Sequence, residues 1–127
     1  MTLPVNAQIG ATPNFTSNLE QVRAFFLAQD AATANARFGK LKSELREMKR
    51  ILSWAPASGR PARFLNGHSV QAQLRTAAVL QLATQAGLPS LREYVVAQHV
   101  VLYAHSDSEV VLLALKHHRQ LAYSASQ

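Results

Sequence analysis

Four residues in an eight-residue span near the end of the chain, Lys116, His117, Arg119 and Tyr123, carry the groups needed to move protons beside an anion. His117 is the acid/base candidate, because an imidazole titrating at about pH 6.5 can both take and give a proton near neutrality. Arg119 offers a planar fork that grips a phosphate through two parallel hydrogen bonds. Tyr123 can stack on a base or donate a proton, and Lys116 adds positive charge beside a developing oxyanion. Side chains alternate along an extended chain. His117 and Arg119 are therefore expected on one face, with Lys116 and His118 on the other. The same alternation argues against a His117–His118 metal site, and no carboxylate stands near them in the sequence to complete one. No metal and no cofactor are expected. A basic strand end is also commonly just a solvated terminus, and that reading stands beside the catalytic one.

The rest of the chain must position these groups. Its 127 residues are enough for one domain with a modest core, and 48% apolar content marks a folded protein. With no cysteine, disulfides and thiolate zinc sites are excluded. No apolar run approaches the roughly 18–20 residues of a membrane-spanning helix. Met1 to Gly10 lacks the basic-then-apolar order of a secretory signal, so the expected setting is cytoplasmic. Thirteen Lys and Arg against seven Asp and Glu give a net charge of +6. A small domain so basic favours an anionic partner, although basic residues also serve solubility alone. Arg46, Lys49, Arg50, Arg60, Arg63 and Arg92 are the candidate nucleic-acid contacts away from the C-terminal cluster.

The apolar spacing predicts an α+β order. Val5 to Ile9 reads as a short edge strand. Ser17 and Glu20 form a capping box, followed by Leu19, Val22, Phe25 and Phe26 on a first helix ending near Gln29. Asp30 caps a second helix with the stripe Phe38, Leu41, Leu45, Met48 and Leu52, whose opposite side carries Lys40, Lys42, Arg46, Lys49 and Arg50. The short link makes the pair a helical hairpin. Trp54 is expected to anchor the end of the second helix on the sheet. Ser69 to Ala86 reads as a third helix, closed by Gly87 and Pro89. The period then changes to two: 91–96, 99–105 and 109–115 form a three-stranded meander. Its last strand is apolar on both faces and therefore central. Tyr103 belongs to the core, and His99 and His105 share its face.

Two segments resemble the RelE/ParE superfamily of toxins. One is the hairpin from His99 to Tyr103 and from Val110 to Gln120, an aromatic-ended strand followed by an apolar strand that finishes in a His/Arg cluster. The other is Pro56-Ala57-Ser58-Gly59-Arg60-Pro61, similar to the Pro…Gly-Arg turn that joins that family's helical hairpin to its sheet. The resemblance spans residues 15–123, and the helix at 66–90 is an insertion relative to compact members. It implies a single domain with the helical hairpin packed on a small antiparallel sheet. It also implies the toxin of a type II toxin–antitoxin pair, inhibiting growth until a cognate antitoxin neutralises it. The implied target is either ribosome-bound mRNA, cleaved without a metal by ribose 2′-hydroxyl attack, or DNA gyrase, poisoned without chemistry. A toxin dimer or a heterotetramer with the antitoxin is the implied assembly. In the cleaving members an arginine sits at a place similar to that of Arg92. The alternative is a non-toxic nucleic-acid-binding or adaptor module on the same scaffold.

Overall fold

A computed structural model of the chain describes residues 6–62, 70–120 and 123. Arg63 lies outside the described residues. Strand β1 (Gln8–Ala11) is followed by helices α1 (Pro13–Gln29) and α2 (Ala31–Trp54) and a 3-10 turn (Pro56–Ser58). Strand β2 (Arg60–Pro61), helix α3 (Val70–Ala86) and strands β3 (Ser90–Val96), β4 (His99–His105) and β5 (Glu109–His117) complete the order.

Helix α1 starts earlier than the capping box at Ser17 suggested. Thr12 caps it by accepting from the Phe15 amide at 3.2 Å, and Pro13 occupies the first turn, where its missing N–H is no loss. Asp30 behaves as expected. Its carboxylate accepts from the Ala32 amide at 3.1 Å, so one residue both closes α1 and caps α2. The stripe Leu41, Leu45, Met48 and Leu52 is buried, each side chain contributing about 1.5–3 kcal/mol of transfer free energy. Trp54, expected to anchor the helix end, is instead 59% exposed.

The sheet has five strands in the order β1-β5-β4-β3-β2. The meander is antiparallel, but β1 runs parallel to β5, so the sheet is mixed and not antiparallel throughout. The parallel pairing is possible because the α1–α2 hairpin and the later elements intervene between the two strands. Helices cover both faces. Phe15, Phe26, Leu41, Leu45, Met48 and Leu52 pack with Val101, Tyr103, Val110, Leu112 and Leu115 on the hairpin side. Val100, Leu102, Ala104, Leu113, Ala114 and Tyr123 pack on the other side, with Leu82, Ala83 and Ala86 of α3 over them. Helix α3 thus supplies the second cover that the doubly apolar β5 requires.

One irregularity sets the phase of the site. The β4–β5 register passes from Tyr103↔Leu112 to Leu102↔Ala114, leaving Leu113 as an extra residue. Beyond the bulge the alternation is inverted, so Leu115 and His117 face the hairpin and Lys116 faces α3. Asn14 and Asn18, both buried on α1, hold the bulge. Asn14 Nδ2 donates to the Leu113 carbonyl at 3.0 Å, and Asn18 Oδ1 accepts from the Leu115 backbone amide at 3.0 Å.

Candidate functional site

A groove of about 920 Å³ opens between the hairpin, the Ala97–Gln98 turn of β3–β4 and the end of β5. His117 and Arg119 line it, as their shared face suggested, and so do Arg37 and Lys40 of α2. His118 does not turn away from His117 as strict alternation would require. The strand ends at His117, the chain turns, and the two imidazoles lie 4.4 Å apart between centroids. His99 completes the group, its ring 5.4 Å from that of His117 and 6.3 Å from that of Phe26. Among the described residues no group of three or more His, Cys, Asp or Glu side chains is arranged to hold a metal ion.

Each imidazole is fixed differently. His99 is buried, and its pKa is lowered to about 4, first by burial and then by the positive charges of His117, His118 and Arg37. It is neutral at physiological pH. The His117 pKa is also lowered, by burial and then by His118, Arg119 and Lys116. His117 Nδ1 accepts the Arg119 backbone amide at 3.1 Å, and Gln120 Oε1 accepts the His117 amide at 2.8 Å. His118 is tied to the β3–β4 turn, where the Gln98 carbonyl accepts its backbone amide at 2.7 Å and lies 2.9 Å from its Nδ1. Ala97 holds that turn with a positive φ of 53°, a conformation uncommon for a residue with a Cβ. Arg37 lies over the Phe26 ring, 4.2 Å from its centroid, and donates to Gln29 at 3.1 Å.

Lys116 and Tyr123 belong to the opposite face. Tyr123 is buried and its hydroxyl donates to the Glu93 carboxylate. Burial, then the hydrogen bond and charge of Glu93, pushes its pKa far up, so the hydroxyl keeps its proton. Lys116 lies over the Tyr123 ring and donates to the Gln120 carbonyl at 3.0 Å. The four clustered residues therefore divide between two faces, and only His117 and Arg119 share the groove.

The other basic candidates have varied placements. Arg60 lies beside the buried Glu93 carboxylate, its Nε 3.5 Å from Oε1. Arg92 donates to the Gly59 carbonyl at 2.9 Å and to His105 Nε2 at 3.2 Å. It braces the turn that leads out of α2. The Tyr103 hydroxyl joins that brace, donating to the Pro56 carbonyl at 2.8 Å and accepting the Gly59 amide at 2.9 Å. Gly59 is required by closeness: a Cβ there would meet the Glu93 carbonyl at 2.5 Å and the Tyr103 hydroxyl at 2.6 Å. Arg46 and Lys49 are exposed on α2, and Arg50 is exposed and paired with Glu47.

Sequence reasoning passed over Arg37, Lys40 and His118 as site members. Their signal was spacing on α2 for the first two, and the end of strand alternation at His117 for the third. No protein-family model and no curated protein matches the chain. Its function must be read from the groove itself.

Proposed function

We propose that the chain is the growth-inhibiting toxin of a two-component toxin–antitoxin pair of the RelE/ParE kind, and that it acts on RNA through the groove. The observation that carries this reading is the convergence of His117, Arg119, Arg37 and Lys40 on one concavity, with proton-transferring and phosphate-holding groups side by side. The order of a helical hairpin followed by a meander whose last strand ends in this cluster supports the same family reading. The cognate antitoxin would be a short acidic protein whose extended or helical segment covers the hairpin and sheet. A second reading, inhibition of DNA gyrase by binding alone, is favoured by the separation of Lys116 and Tyr123 from His117, which leaves the groove with fewer catalytic groups.

Induction of the chain alone is expected to arrest growth, and a short acidic protein encoded beside it is expected to restore growth when co-expressed. Normal growth at verified high expression overturns the toxin reading. Primer extension on a reporter message, run beside a gyrase supercoiling assay, separates the targets. Cleaved message with normal supercoiling supports RNA, whereas intact message with lost supercoiling supports gyrase.

A further inference from the structure

We infer that the groove is a substrate site for single-stranded RNA in which His118 is the base that activates a ribose 2′-hydroxyl, while His117 is a neutral hydrogen-bond donor to the phosphate. This rests on the RNA reading above and reassigns its central role to a residue that reading did not use.

The assignment follows from what each ring nitrogen faces. A backbone carbonyl can only accept, so the His118 Nδ1 that lies 2.9 Å from the Gln98 oxygen carries a proton. In the neutral ring, Nε2 is then an unprotonated lone pair. A backbone amide can only donate, so the His117 Nδ1 that lies 3.1 Å from the Arg119 nitrogen is the unprotonated one. The His117 proton therefore sits on Nε2. That ring offers a donor and no free base, and giving up its remaining proton would leave an imidazolate. Two adjacent imidazoles thus carry opposite tautomers, each locked by the backbone. A base oriented through its far nitrogen by a fixed acceptor is the arrangement proton abstraction needs, because the imidazolium that forms is stabilised where it stands.

The groove supplies the remaining requirements. Arg119, Arg37 and Lys40 line it and would neutralise the phosphate. Phe25, 55% exposed on α1, lines it too and presents a face on which an unpaired base can stack. An unpaired strand is needed because bases inside a duplex offer no open face to such a platform. In the reaction, His118 Nε2 takes the proton of a 2′-hydroxyl, and the 2′-oxygen forms a bond to phosphorus. The bond from phosphorus to the 5′-oxygen breaks, and that oxygen takes a proton from water. The hydroxide so formed is neutralised by the proton that His118 acquired, which restores the base. The products are a 2′,3′-cyclic phosphate and a 5′-hydroxyl end, and no metal or redox partner is needed.

The test uses the purified chain and a 5′-labelled single-stranded RNA, with and without translating ribosomes. His118→Asn keeps a side-chain N–H for the Gln98 carbonyl and removes the base. Cleavage is expected to fall by about 10²–10⁴-fold in this variant at unchanged melting temperature. Added imidazole should recover part of the activity, and a 2′-deoxy residue at the cut position should block cleavage. Cleavage by His118→Asn within a few-fold of the parent overturns the proposal, as does the absence of cleavage by the parent in both settings. Growth arrest that persists in His118→Asn with gyrase inhibited removes this site and leaves the toxin reading standing. RNA cleavage that needs His118 in a chain that does not arrest growth does the reverse.

Discussion

The two faces of the sheet solve the problem of polar groups near a core in opposite ways. On the α3 side a single carboxylate, Glu93, is sealed in and answered by Tyr123 and Arg60. On the hairpin side three imidazoles gather at the rim of an open groove, and of these His99 is the buried one. The sealed face spends its polar groups on holding the chain after β5 in place. The open face keeps its ring nitrogens within reach of a ligand. A titratable residue near a strand end is therefore not by itself a site, because Lys116 and His117 are neighbours in sequence and have different roles. The bulge at Leu113 decides which of them reaches the groove.

The largest effect is expected on the sealed face. Glu93→Ala removes the acceptor of the buried Tyr123 hydroxyl and the partner of Arg60, and breaking such a buried arrangement costs about 3–5 kcal/mol. Because Arg60 is partly exposed, the lower end of that range is expected. Urea denaturation measures it, and a loss below 1 kcal/mol would erase the contrast between the faces.

Acid should act on the open face. The His99 pKa is about 4 in the folded chain, below its ordinary value of 6.5. The unfolded chain thus binds a proton that the folded chain refuses. The stability this represents is fully present above pH 6.5 and is lost as pH falls towards 4. The loss reaches roughly 3 kcal/mol, and the lowered pKa of His117 adds to it in the same direction. His99→Phe should flatten the stability profile between pH 6.5 and 4; an unchanged slope would show that His99 is not its source.

A smaller effect links the core to the groove. Asn18→Ala takes away the acceptor of the Leu115 amide, and stranding a buried donor costs about 1–3 kcal/mol. The bulge is then free to relax, so the His117 resonances in a histidine NMR spectrum should move more than that of the Tyr123 ring. Equal shifts on both faces would mean that Asn18 does not set the phase of β5.

Much of this frame was legible in the sequence. The helical hairpin, α3 and the meander follow from local signals: helical spacing, the cap at Asp30, the breakers Gly87 and Pro89, and the change of period after them. The start of α1 was missed because Ser17 and Glu20 fit a capping box while Thr12 and Pro13 fit an N-terminus equally well. The parallel β1–β5 pairing joins residues about a hundred positions apart, and no local pattern encodes it. Alternation separated Lys116 from His117 and Arg119, but which face of the sheet each would meet was hidden for a similar reason. One extra residue in an unbroken apolar run, Val110 to Leu115, inverts every side chain after it. Trp54 was misplaced because an aromatic at a helix end suits burial and exposure alike.

The smallest expected effect lies away from both faces. Arg46 and Lys49 are exposed on α2, whereas Arg37 and Lys40, lower on the same helix, line the groove. If a polyanion entering the groove also runs along α2, each contact releases counterions and steepens the fall of affinity with salt. Reversing both charges, Arg46→Glu with Lys49→Glu, is expected to change stability by only a few tenths of a kcal/mol, since neither residue is buried. Binding to single-stranded RNA, measured across a salt series, should lose the slope of about two phosphate contacts. The cleavage proposed at His118 should persist at low salt, because the groove's own cations remain. An unchanged salt slope would confine recognition to the groove and leave this face of α2 to solvent.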